Sequence, residues 1–599
     1  MATKTTRYQL IKPDQDDFYN VDDFNSNADT IDEKLGEHED KSVVSEAGSH
    51  DIRFYNNKLS VRDNGVWRDA QIFATVRVAV PSGAVVKATH DNHTRVATAV
   101  DGYAYIEVNY RGLWTFVATY QTGVSETVTK DIQSNEDVDI TLNFTVLSVQ
   151  VREDTTTTCN GESRYSSVAT THVFYLPSGG TYDVTMTMYG YDLKDTVTVA
   201  SGTTYQHSML YTIYGYIVNE ESTDGIITNL YDAAKYWGQT AVVLSILNFP
   251  IFNRIRPFAR NASGKIVPLS LDNYTVQDST VTGYDPDYQV DITSKDEVFL
   301  FVPRMGYSHK TKDGSVGLVI TDYLNDDGSQ FSYAPWSLDS EGDCDGIGIG
   351  VYPYDIKYPV GSSRVASSLS GKRIDYAYMY TKSDPYSHPT VDEYFAQCTA
   401  KGDRFGPFTY WQYRFLMKIE QFLPRRTWWS NNPGIKAMTN AQYPQYFYTG
   451  TQNLTFIAAI PRSTTNSDAL VAKVLGVEGV GGHCGTPLDG LIRNSYTNFS
   501  VKCALNGTYT TKTESVGEWT ANGYVKYWDL NKSTISYGSS STYYQAYSSP
   551  WSNGYFSTLE STYYNFASIG SGVQSGNKLS NEYTGRVVMY FKKGEWKLW

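Results

Sequence analysis

Between Ile72 and Leu210 the chain runs twice through one β pattern, and its alternation of apolar and polar residues suits strands that bury a single face. Gly112-Leu-Trp-Thr-Phe-Val-Ala-Thr lines up with Gly180-Thr-Tyr-Asp-Val-Thr-Met-Thr, and Ser125-Glu-Thr-Val-Thr with Lys194-Asp-Thr-Val-Thr. In the second copy Tyr182, Val184, Met186 and Met188 occupy alternate positions. A sheet with one apolar face must be covered by another layer, so the repeat predicts two β-sandwich modules, over 72–145 and 146–210.

The remaining length needs further domains, since 599 residues exceed what one core can hold. With 50 Tyr and 12 Trp against 24 Phe, most of the aromatics carry a polar handle, which suits contact surfaces as well as half-buried strands. The net charge of −14 comes without any Lys/Arg-rich run, so nucleic acid is not an expected partner. Cys159, Cys344, Cys398, Cys484 and Cys503 show no CxxC spacing, which argues against both a zinc site and a disulfide framework. Neither a classical secretion signal nor a membrane span is expected. The first residues lack an apolar stretch, and the longest apolar run, from Ala241 to Phe252, is broken by Asn248 and Pro250.

Residues 1–48 are acidic and polar, yet Val21, Phe24, Ala28, Ile31 and Leu35 recur at helical spacing. Asp22 or Asp23 is placed to cap this short helix, and Gly36 to end it. One apolar stripe on so short a helix needs a partner, either another chain or the chain's own downstream domain, and with another chain Phe18, Val21, Phe24, Ile31 and Leu35 are the expected assembly residues. The run Lys12-Pro-x-x-x-Asp-Phe-Tyr-Asn-Val-x-Asp-Phe-Asn-x-Asn-Ala-Asp-x-Ile-Asp32 closely resembles the opening of tail-fibre and baseplate proteins of phages that infect Gram-positive and gut bacteria. Residues 49–71 follow as an expected β-hairpin with turns at Asn56-Asn57 and Asn64-Gly65, also seen in such proteins. The resemblance implies a virion structural protein, made in the bacterial cytoplasm and released by lysis. It further implies a homotrimer attached to other tail or baseplate proteins through residues 1–48. The duplicated modules resemble the immunoglobulin-like, carboxypeptidase-regulatory-like sandwiches used as spacers in tails and adhesins.

Residues 211–599 change character, with longer loops and most of the tryptophans. Helices are predicted from Val391, after His388-Pro389, to Gly402, and from Tyr410 to Phe422. In the second, Tyr410, Tyr413, Leu416, Met417 and Glu420 define one buried face. Stretches at Asn248–Pro257, Lys295–Tyr307, Gly348–Tyr352, Ser368–Gly371 and Trp411–Gln421 resemble, in order, the C-type-lectin-like fold of phage tropism determinants and retroelement-diversified variable proteins. The implied architecture is mainly β, with an α+β C-type-lectin-like receptor-binding head at 211–599.

Tyr524, Tyr527, Trp528, Tyr543, Tyr544, Tyr547, Trp551, Tyr555, Phe556, Tyr563 and Tyr564 crowd the C-terminal part among Ser, Asn and Gly, the mixture that antibody loops use. Tyr543, Tyr544, Tyr547, Trp551, Tyr555, Tyr563 and Tyr564 are therefore the expected receptor-binding residues, the receptor being a bacterial surface polysaccharide or protein. No cofactor, metal or catalytic residue is expected. Asp339-Ser-Glu-Gly-Asp-Cys-Asp-Gly lacks the helix and twelfth-position Glu of a calcium loop and reads as a solvated turn. His483-Cys484 has no orienting acid. A tail-borne glycan depolymerase and a purely architectural baseplate protein are the alternative readings. The terminal run from Tyr583 to Trp599 alternates as strands expected to close the head.

Overall fold

The computed structural model describes residues 74–218 without a break, most of 227–420, the closing stretch 583–598, and shorter pieces of the first 69 residues and of 446–579. The chain is mainly β and divides into two compact units, Met1–Leu210 and Tyr211–Trp599. Early in the first unit, Ile52–Tyr55, Lys58–Asp63 and Val66–Asp69 form a three-stranded antiparallel meander, one strand more than the expected hairpin.

The two copies of the β pattern fold alike. In the first, Ala74–Ala79 pairs antiparallel with Tyr103–Val108 and parallel with Val138–Thr141. A second sheet runs from His93–Thr98 through Val85–His90 to Gly112–Tyr120, which also holds Val128–Ile132. In the second copy, Thr145–Val151 likewise pairs antiparallel with Thr170–Leu176 and parallel with Thr204–Met209. Its other sheet runs Glu162–Ser166, Thr155–Cys159, Gly180–Met188, Tyr191–Val199. The segments aligned at Gly112 and Gly180 thus become the same central strand in each module.

Even the detail repeats. Trp114 Nε1 donates to Tyr110 O at 2.9 Å, and Tyr182, its counterpart, donates from its hydroxyl to Ser178 O at 2.7 Å. Val76, Val78, Val86, Ile106, Trp114 and Phe116 fill the first core, while Val184, Met186 and Met188 are buried in the second. Tyr120, Phe144 and Tyr175 meet edge to face where the two modules join.

The second unit is built on a six-stranded antiparallel sheet in the order Ile266–Pro268, Arg256–Arg260, Glu297–Pro303, Cys344–Gly350, Val587–Lys592, Phe405–Pro407. Both faces are covered. Val298, Leu300, Val302, Ile347, Ile349, Val588 and Tyr590 enter one core, whereas Phe258, Phe299, Phe301, Val587, Met589 and Phe591 enter another. Gly346 and Gly348 make room for the second: a Cβ on Gly348 would lie 2.8 Å from the Phe258 ring, and one on Gly346 would lie 2.8 Å from that of Phe301. From Val587 to Phe591 the closing strand is therefore continuously buried instead of alternating, as a strand covered on both faces should be.

Thr390 caps the Val391–Thr399 helix in a full capping box with Glu393, and Gly402 follows at φ +136°. The Tyr410–Glu420 helix buries more than the single face expected of it. Tyr410, Trp411, Gln412 and Tyr413 are all enclosed, because Trp411 Nε1 donates to Lys502 O at 3.0 Å and Gln412 Nε2 to the Tyr590 hydroxyl at 2.7 Å.

Candidate functional site

Of the expected receptor-binding residues, Tyr555 lies in the Gly554–Ser557 strand, opposite Ile492 of Pro487–Arg493 and Val573 of Gly570–Gln574. Tyr543, Tyr544, Tyr547, Trp551, Tyr563 and Tyr564 lie outside the described residues. Of the assembly residues, Ile31 is helical and 46% exposed, whereas Phe18, Val21, Phe24 and Leu35 lie outside them too, as do His483, Cys484 and Cys503. In the acidic run, Asp345 is no solvated turn residue: its carboxylate accepts from the backbone N–H groups of Gly594 and Trp596, both at 3.0 Å, and so fastens the C-terminal turn. Asp339 accepts from Asn506 at 2.9 Å. Among the described residues, no group of three or more His, Cys, Asp or Glu side chains is placed to hold a metal ion.

Where two adjacent inner strands of the six-stranded sheet end and begin, there is a concentration of charge that no sequence motif announces. A cavity of about 380 Å³ is lined by Arg260, Lys295, Glu297 and Lys401, with Val365 and Leu369 among its apolar walls. Arg260 ends one strand and pairs with Glu297, which begins the next. Lys295 stands in the turn before Glu297, and Lys401 just beyond the Val391–Thr399 helix. Three elements distant in sequence are needed to assemble the site.

The charges are not equivalent. Lys401 Nζ reaches both Glu297 oxygens at 2.8 Å and Ala366 O at 2.9 Å, and Glu297 also accepts from Ser368 N at 3.2 Å. That pair is closed on itself. Arg260 lies over the Phe405 ring, 5.0 Å from its centroid, and its Nε is buried without a hydrogen-bond partner. Burial pulls the Arg260 pKa below its ordinary value, with the Glu297 carboxylate opposing the shift. An arginine starts so high that it remains a cation at neutral pH. Lys295 is exposed, its ammonium 5.9 Å from the Tyr288 ring centroid. With Glu297 offset by Lys401, two cations face the cavity. Its volume lies within the range of small-ligand sites, and its cations, apolar walls and single satisfied carboxylate suit it to hold an anion, not to perform acid–base chemistry.

A larger, more enclosed hollow of about 550 Å³ lies on the first β module beside Arg95, Tyr105 and Glu107. There Arg95 is already bonded to Asn109 at 3.1 Å.

These folds define a mainly β, multidomain chain, and among its described residues no helix is long and apolar enough to cross a membrane. No family model matches the chain, and no curated protein does. Among solved structures it is similar to GBS52, the minor pilin of Streptococcus agalactiae, at 11% identity and a TM-score of 0.15 over 23% of this chain and 94% of that one. It is also similar to the TIE protein of Bacillus anthracis, at 10% identity and a TM-score of 0.12 over 45% and 55% of the two chains. A streptococcal ancillary pilin is similar at 8% identity and a TM-score of 0.13, over 44% of this chain and 94% of the pilin.

Proposed function

We propose that this chain is a structural protein of a phage tail, in a fibre or baseplate, that binds a polysaccharide or protein on the bacterial surface for host attachment. The observation that carries this reading is the Lys12–Asp32 motif, followed in one chain by a duplicated β module and an aromatic-rich C-terminal unit. In this reading residues 1–48 attach a homotrimer to other tail proteins, the modules are immunoglobulin-like spacers, and 211–599 is a C-type-lectin-like head that needs no cofactor. The head assignment is supported by where the resembling stretches fall: Arg256-Pro257 of the first, with Lys295–Tyr307 and Gly348–Tyr352, contribute to three adjacent strands of the central sheet. Several weak head sites on one particle would gain avidity from their high effective concentration.

The test is binding of the labelled full chain to a panel of Gram-positive and gut bacteria, beside a variant with Tyr543, Tyr544, Trp551 and Tyr555 all changed to Ala. Strain-selective binding by the parent, lost in a variant of unchanged melting temperature, is the expected result. Release of soluble sugar from purified envelopes would favour a depolymerase instead, and absence of binding to every strain an architectural role.

A further inference from the structure

We infer that the cavity walled by Arg260, Lys295, Lys401 and Glu297 is a binding site for an oxyanion borne on a sugar, the carboxylate of a uronic acid or a sugar phosphate. This inference deepens the proposed function and rests on it, since it names the chemistry of a receptor glycan that the C-terminal unit would recognise.

Four observations converge. Arg260 is half-buried, and its Nε is buried without a hydrogen-bond partner. A cation partly withdrawn from water without an acceptor is costly, and an incoming oxyanion removes that cost. The planar fork of Arg260, held against Phe405, matches two oxygens of one carboxylate or phosphate, and Lys295 adds a second positive charge at the rim. Glu297 does not repel the ligand, because both of its oxygens are held by Lys401. Finally, Val365 and Leu369 give the cavity apolar surface on which the carbon-bound face of a sugar ring can lie. Three cations against one carboxylate in one hollow are conspicuous in a chain whose net charge is −14. That same net charge disfavours long polyanions and favours recognition of a single anionic unit.

The experiment is calorimetric titration of the full chain with trigalacturonate, glucose 6-phosphate, inorganic phosphate and neutral maltotriose. One or both of the acidic sugars should bind, more weakly as salt is raised, while maltotriose does not. Arg260→Gln, with unchanged melting, should lose at least about tenfold in affinity, as expected for removal of a charge-assisted fork. Lys295→Ala, at an exposed position that leaves the fold alone, should lose less. Equal binding of maltotriose, full affinity in Arg260→Gln, or no heat with either acidic sugar up to about 10 mM, where even weak small-ligand sites begin to fill, would overturn the inference. Inorganic phosphate binding as tightly as the sugars would overturn its sugar part. Cell attachment that depends on the aromatic residues but not on Arg260 would sink this inference and leave the proposed function standing.

Discussion

Arg586 is enclosed in the C-terminal unit, and its guanidinium donates to the backbone carbonyls of Gly350, Val351 and Glu478. Burial lowers its pKa to about 10, with Tyr394 and Glu478 opposing the shift. The side chain thus ties the closing strand to two other segments, and its removal takes a charged donor from three carbonyls, of which Val351 O still accepts from Glu478 N at 2.9 Å. Arg586→Met should therefore cost on the order of 3 kcal/mol, read as a lower urea midpoint, the loss of several charge-assisted bonds outweighing the relief of a buried charge. An unchanged midpoint would show that the carbonyls find other partners. The buried tyrosines make a second prediction. Burial, the largest cause in each case, raises the pKa of Tyr274, Tyr352, Tyr354, Tyr394 and Tyr590. A phenol in the unfolded chain ionises near pH 10, so above about that pH the folded unit binds more protons and stability falls. The contribution is complete below the unfolded value and is lost as pH rises through the folded ones. Alkaline titration should thus show exposed phenols ionising first and a later, abrupt rise in tyrosinate absorbance that coincides with loss of circular dichroism. A single smooth titration with the fold intact would contradict this.

At the scale of elements, the Val391–Thr399 helix begins with both halves of a capping box, Thr390 Oγ1 accepting from Glu393 N at 3.2 Å and Glu393 from Thr390 N at 2.7 Å. Thr390→Ala should cost about 1 kcal/mol, measurable as a small drop in melting temperature, and Thr390→Ser should restore most of it. This helix was legible in the sequence because its boundaries are local: Pro389 before it, Gly402 after it. The β modules were legible for a related reason. Val184, Met186 and Met188 alternate with half-exposed threonines, so one-sided burial leaves its period in the sequence. The six-stranded sheet carries no such period, since Val298 to Val302 and Val587 to Phe591 are buried on both faces. The Tyr410–Glu420 helix misled for the opposite reason: Trp411 and Gln412 look like tolerable surface residues until their hydrogen bonds to Lys502 and Tyr590 are seen. The cation-lined cavity was illegible altogether. Arg260, Lys295 and Lys401 belong to no motif, and only the pairing of Arg260 with Glu297 and the return of the chain after the Val391–Thr399 helix bring them together.

For the whole molecule, what matters is that Met1–Leu210 and Tyr211–Trp599 are separate compact units with cores of their own. The second unit depends on its last strand. Val587–Lys592 lies between Cys344–Gly350 and Phe405–Pro407, and among the described residues Phe405–Pro407 has no other strand partner in that sheet. Val587, Val588, Met589, Tyr590 and Phe591 are almost wholly buried, and at about 2 kcal/mol for each large apolar side chain the strand contributes on the order of 10 kcal/mol. That equals the whole stability of an ordinary domain, about 5–15 kcal/mol. Trp596, stacked on Phe301 at 3.6 Å, would be lost with it. A chain ending at Asn581 should therefore lose the cooperative unfolding of the second unit entirely, while the two β modules, which share no strand with it, still unfold cooperatively. Hydrogen exchange reads both units at once. Amides of Glu297–Pro303 and Cys344–Gly350 should exchange freely in the truncated chain, while those of Ala74–Ala79 and Thr145–Val151 stay protected. Protection persisting in the first pair would mean that the sheet closes without its last strand; protection lost in the second pair would mean that the two units do not fold independently.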